Sequence, residues 1–98
     1  MTTRRPNGLG HHGQKLWSSV MAEFDLDAEP AKLRILQDAC GVADQIAALE
    51  RAMNGEPLTV RGSAGQKTIH PLISEVRFQR ALLAQLLARL NFADAEED

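Results

Sequence analysis

Apolar positions along the chain fall into three helical stripes separated by two turn-rich breaks. Between Gln14 and Phe24, the residues Leu16, Trp17, Val20, Met21 and Phe24 recur at i, i+1, i+4, i+5 and i+8, which is one face of a helix. The stretch Asp25 to Asp27 interrupts it. Asp27 is a natural N-cap for a second helix, with Glu29 in its first turn and Pro30 tolerated there. That helix is predicted to run to about Asn54. Its seam of Ile35, Ala39, Val42, Ile46, Leu49 and Met53 is spaced 4, 3, 4, 3 and 4, and Leu36, Ala43 and Ala47 widen it. Gly41 sits inside with the pattern in phase on both sides, and Asn54-Gly55 is a C-terminal stop.

Two short β-prone runs follow, Leu58-Thr59-Val60-Arg61 and Gln66-Lys67-Thr68-Ile69. They flank Gly62-Ser63-Ala64-Gly65, and so read as a small hairpin around a four-residue loop. His70-Pro71 opens the last helix, where a proline at the first position forfeits no hydrogen bond and His70 is placed to cap. Leu72, Val76, Leu83, Leu86 and Leu90 carry its apolar row, broadened by Ile73, Leu82 and Leu87, with an exit by about Phe92. The expected fold is all-α: a short N-terminal helix plus two long antiparallel helices, joined by a small β-hairpin. Residues 1–13, with Pro6, Gly8, Gly10 and Gly13, read as a flexible basic arm, 14–92 as a helical oligomerisation domain, and 93–98 as an acidic tail.

Size sharpens the expectation of oligomerisation. With 98 residues the chain makes one domain, and two long helices with broad apolar faces cannot cover both from water with one small helix beside them. Self-association is the simplest remedy, and a head-to-tail contact that closes gives a ring. No apolar run approaches the roughly 20 residues of a membrane span. The N-terminal arginines have no apolar stretch behind them, so no signal peptide is expected, and one cysteine, Cys40, fits an intracellular chain without a disulfide.

Charge is near balance, with 11 basic and 13 acidic side chains, which argues against a generally basic nucleic-acid binder. It is unevenly placed. Arg4, Arg5 and Lys15 stand in the first 15 residues with no acid, and Asp94, Glu96, Glu97 and Asp98 close the chain with no base. The arm cations are candidates for phosphate contact, and Arg61 and Lys67 on the hairpin form a second candidate patch, unless they only protect strand edges. Taken singly, either tail reads first as a solvated end. A helix-turn-helix over residues 14–40 would present Asp27 and Glu29 to the duplex, where carboxylates repel. His11, His12 and His70 lack ligand-like partners, so neither a metal site nor a nuclease centre is expected. Trp17 and Cys40 read as core residues. Glu75, Arg77 and Arg80 read as solvated charges or as bridges between copies.

Several pieces recur together in a familiar order. Leu9-Gly10-x-x-Gly13-x-x-Leu16-Trp17 opens the chain, and a long helix carrying Cys40 and Asp44 leads to Asn54-Gly55. Gly65-Gln66-Lys67 precedes His70-Pro71-Leu72-x-x-Glu75-x-Arg77 and a leucine-rich helix. From about Leu9 to Leu90 this succession resembles the small terminase subunits of tailed phages and prophages, in particular the short actinobacterial-type members. The resemblance implies a non-enzymatic DNA-packaging factor without cofactor. Such a factor forms a homo-oligomeric ring in the cytoplasm of the bacterial host, binds double-stranded phage DNA and recruits the terminase large subunit, which holds ATPase and nuclease. It implies structural roles for Leu9, Gly10, Trp17, His70 and Pro71. Asp94, Glu96, Glu97 and Asp98 are then the candidate docking tail. Two other readings stand beside it: a helical oligomeric structural protein without DNA affinity, and a small DNA-binding regulator.

Overall fold

The computed structural model describes residues 3–90. Its elements follow in the order α1 (His11–Glu23), α2 (Pro30–Met53), β1 (Thr59–Arg61), β2 (Lys67–Ile69) and α3 (Pro71–Arg89). The fold is mostly helical rather than strictly all-α, because β1 and β2 pair as a two-stranded antiparallel sheet. Asp94, Glu96, Glu97, Asp98 and the expected exit at Phe92 lie outside the described residues.

α2 is the central element, and both α1 and α3 pack on it. Its predicted seam faces inward: Ala39, Val42 and Ile46 are buried, as are Leu36 and Ala47 of the widened stripe. The core is concentrated towards the start of α2, where Leu36 and Cys40 meet Trp17 and Val20 of α1, Leu26 of the α1–α2 connection and Leu90. α3 is much less enclosed. Along its 19 residues only Val76 is buried, and Leu72, Ile73, Leu82, Leu83, Leu86 and Leu87 are half-exposed. The described residues span 57 × 31 × 17 Å with a radius of gyration of 17.2 Å. A compact chain of about 100 residues would have a radius near 13 Å. The body is therefore an elongated slab about as thick as one layer of helices.

Two helix starts differ from the sequence expectation. α1 begins at His11, three residues before the Gln14 expected from its apolar stripe, inside the segment read as an arm. Gly10 occupies its N-cap and offers no side-chain hydrogen bond. The cap comes instead from α2: Asp44 accepts the Gly10 N–H at 2.7 Å and the Gly13 N–H at 2.8 Å. Unpaired N–H groups and the positive end of the helix dipole favour a carboxylate there. Gly13 lets the helices approach closely enough, since a Cβ on it would stand 2.4 Å from Asp44 Oδ2 and 2.8 Å from the Cys40 carbonyl oxygen.

α2 begins at Pro30 with Glu29, not Asp27, at its N-cap. Pro30 disfavours helical backbone at the residue before it, which places the boundary there. Asp27 serves the N-terminal segment, accepting the Thr3 N–H at 2.9 Å. At α3 the expected cap is present, with the Leu72 N–H donating to His70 Nδ1 at 3.1 Å.

Candidate nucleic-acid interface

The five cations singled out in the sequence fall into three separate places. Arg4 and Arg5 share a cleft with Pro6, Asn7, Leu9 and Gln14. The segment carrying them lies along the α1–α2 body, held at one end by Thr3 on Asp27 and at the other by Leu9 packed on the core. The Gln14 side chain also donates to the Leu9 carbonyl at 2.7 Å. Trp17 lies beneath this strap, in clefts it shares with Thr3, Arg4, Arg5 and Pro6. The indole is 5% exposed, so it anchors the core and offers no stacking face to a base.

Lys15 does not join the two arginines in that cleft. It stands with His12 and Ser19 on the rim of a different groove, whose apolar lining includes Leu16, Ile46, Leu83 and Leu87. The groove runs between all three helices, and its lining is apolar because the outer rows of α1, α2 and α3 converge there.

Arg61 and Lys67 are the cations the fold brings together. The strand register sets Thr59 against Ile69, Val60 against Thr68 and Arg61 against Lys67. Directly opposed residues share one face of a hairpin, at about 5 Å between their Cβ atoms. The loop between them is residues 62–66, five rather than the four expected, because β2 begins at Lys67 and not at Gln66; the Gly62 N–H donates to the Gln66 carbonyl at 2.6 Å and ties the ends of the loop together. Gly65, at φ 86°, takes the left-handed conformation this tip requires. The Arg61 guanidinium donates back to the Gly65 carbonyl at 3.2 Å.

None of these five cations forms an ion pair among the described residues. Lys32 is paired with Glu29, Arg34 with Asp38 and Arg80 with Glu50. The Arg80–Glu50 pair joins α3 to α2, so Arg80 has a partner within its own chain. His70 Nε2 meets Glu56 at 3.2 Å. Its Nδ1 accepts from Leu72, which leaves the proton on Nε2 to donate.

His11 and His12 stand edge to face with ring centroids 5.5 Å apart. Among the described residues, no three His, Cys, Asp or Glu side chains are placed to hold a metal ion together. Cys40 is fully buried, and burial pushes its thiol up to about 11, with the nearby Asp44 charge adding to the effect. Among the described residues, no helix is long and apolar enough to cross a membrane.

The residue that sequence reasoning undervalued is Asp44. It lies four positions after buried Cys40 and three before buried Ala47, so it interrupts the row that faces α1. A carboxylate in an apolar row, beside two glycines one turn apart on the helix it faces, is the signal that could have found the cap. No protein-family model, curated protein or solved structure matches this chain.

Proposed function

We propose that this protein is a non-catalytic DNA-packaging factor of the terminase small-subunit kind. In this reading, α2 and α3 pack antiparallel and copies associate head to tail into a ring. The ring binds double-stranded phage DNA in the bacterial cytoplasm and recruits the large ATPase–nuclease subunit. Arg4, Arg5, Lys15, Arg61 and Lys67 supply the phosphate contacts, and the acidic residues Asp94, Glu96, Glu97 and Asp98 dock the large subunit.

The observation that carries the reading is α3. A helix of 19 residues with one buried side chain and two rows of half-exposed leucines, on a slab 17 Å thick, is an unfinished core. Covering it with copies of the same chain removes apolar surface from water at about 25 cal/mol per Å². Repetition also turns five weak cations per chain into a multivalent surface.

Light scattering coupled to size-exclusion chromatography, at low and high salt, tests the assembly. The expected result is one species of many chains that persists in high salt, because its contacts are apolar. Binding of duplex DNA that falls steeply with salt is the second expected result. A monomer at all concentrations, or an assembly without affinity for DNA, overturns the proposal.

A further inference from the structure

The hairpin carries an arrangement that folding alone does not favour. Like charges placed directly opposite each other on an antiparallel pair are destabilising, yet Arg61 and Lys67 are register partners. Between Glu56 and Glu75 the chain contains no acidic residue that could compensate them. Thr59 and Ile69, the next opposed pair on the same face, are exposed, as are both cations. Ile69 is 50% exposed, so this face stays largely open among the described residues. The tip is nonetheless well made, with two backbone hydrogen bonds across residues 62–66 and the Arg61 side chain tied to the loop.

A firmly built prong with two opposed cations that have no ion-pair partner among the described residues, on an open face, is complementary to an anion that sits between them. The geometry points to the hairpin as the phosphate-binding element for double-stranded DNA, with Arg61 and Lys67 on the backbone at a groove edge. A two-stranded ribbon is of a size the major groove admits. Cationic side chains opposed across such a ribbon meet phosphates without reading sequence. This inference rests on the DNA-binding reading above and, among the cations named there, makes the hairpin the principal phosphate contact, ahead of the strap carrying Arg4 and Arg5, whose backbone is engaged with the α1–α2 body.

The test compares the full chain with Arg61→Ala/Lys67→Ala, Lys67→Glu and Arg4→Ala/Arg5→Ala. Each is titrated with a 30-base-pair duplex at salt concentrations from about 50 to 200 mM, with inorganic phosphate at matched ionic strength as the free-anion control. Two phosphate contacts contribute a slope of about −1.8 in log affinity against log salt. Over that fourfold range the wild type should therefore lose about tenfold more affinity than the hairpin double variant. Inorganic phosphate should not compete beyond its ionic strength. If it does, the site is one for free phosphate and the duplex assignment is overturned.

Lys67→Glu separates binding from folding. It replaces a like-charge pair by an opposite-charge pair, so it should leave thermal stability equal or higher while weakening DNA binding about as much as Arg61→Ala/Lys67→Ala, which removes the same net charge. A Lys67→Glu protein that is less stable overturns the repulsion argument. Wild-type DNA binding that the hairpin variants retain, and Arg4→Ala/Arg5→Ala loses, overturns the hairpin inference and leaves the packaging reading intact. A wild-type chain that binds no duplex at any salt overturns both.

Discussion

Replacing Asp44 by alanine should loosen α1 from α2 far more than an ordinary surface substitution would. The carboxylate accepts two N–H groups at the start of α1, from Gly10 at 2.7 Å and Gly13 at 2.8 Å. A hydrogen bond to a charged group contributes about 1.5–3 kcal/mol. The Gly10 bond is exposed and water replaces most of it, so its loss costs roughly 0.5–1 kcal/mol. The Gly13 bond is part-buried, so its loss falls at the lower end of that range, about 1.5–2 kcal/mol. Together they predict a loss of about 2–3 kcal/mol, somewhat more than a typical N-cap deletion.

For a domain of this size, that is a fall in Tm of about 10–20 °C. Asp44→Asn keeps the shape and loses the charge, and should fall roughly midway. Gly13→Ala should be at least as damaging as Asp44→Ala, since its Cβ would meet Asp44 Oδ2 at 2.4 Å and the Cys40 carbonyl oxygen at 2.8 Å. The double variant should cost less than the sum of the two, because removing the carboxylate relieves the nearer collision. The measurement is thermal and urea unfolding followed by circular dichroism and Trp17 fluorescence, at one protein concentration so that association is held fixed. An Asp44→Ala protein within 0.5 kcal/mol of wild type would refute the claim that this carboxylate caps α1.

Three further predictions follow from single features. Gly41 lies inside α2 with nothing within 4 Å of the position a Cβ would take, so Gly41→Ala should raise stability by about 1 kcal/mol in the same unfolding assay. With its thiol at about 11, Cys40 should resist alkylation at pH 8 in the native protein and react promptly in denaturant; mass spectrometry decides, and fast native labelling contradicts the buried placement. Hydrogen bonding from the Thr3 side chain, and then its N–H, holds the Asp27 carboxyl below its usual range. A depressed carboxyl stabilises the contact above the unfolded carboxyl's pKa of 3.8 and loses that contribution as pH falls through the lower folded value. Acid should therefore release the strap and red-shift the emission of Trp17, the only tryptophan, and Asp27→Ala should show the shift already at neutral pH. An unshifted Asp27→Ala spectrum would separate the strap from Trp17.

What could be read from the sequence was governed by local information. The registers of α1 and α2 followed from their apolar spacing, and Asn54-Gly55 marked the end of α2 and His70-Pro71 the start of α3 because cap and proline chemistry acts within a few residues. The start of α1 was missed because its cap stands more than 30 positions away, on Asp44. A glycine-rich segment reads as an arm until the helix that completes it is placed beside it. Asp27 has the residue type and the following first-turn pattern of a cap, whereas Pro30 dictates the boundary and leaves Asp27 for Thr3. The cations were all visible in the sequence, but their grouping was not. The pairing of Arg61 with Lys67 depends on a five-residue loop, and the separation of Lys15 from Arg4 and Arg5 depends on how the strap runs.

The lopsided core divides the molecule into regions of unequal cooperativity. Trp17, Val20, Leu26, Leu36, Cys40 and Leu90 close around one end. Among the described residues towards Met53 and the hairpin, only Ile46, Ala47 and Val76 are buried. Amide protection should decay along the long axis, with the hairpin end opening in sub-global excursions while the α1 end stays closed. A ligand bound at the prong would then act on the least stable part of the chain, and the ordering it imposes there would be felt by the half-covered helix beside it. Binding and assembly would be linked through rigidity, with each partner easing the entropic cost of the other.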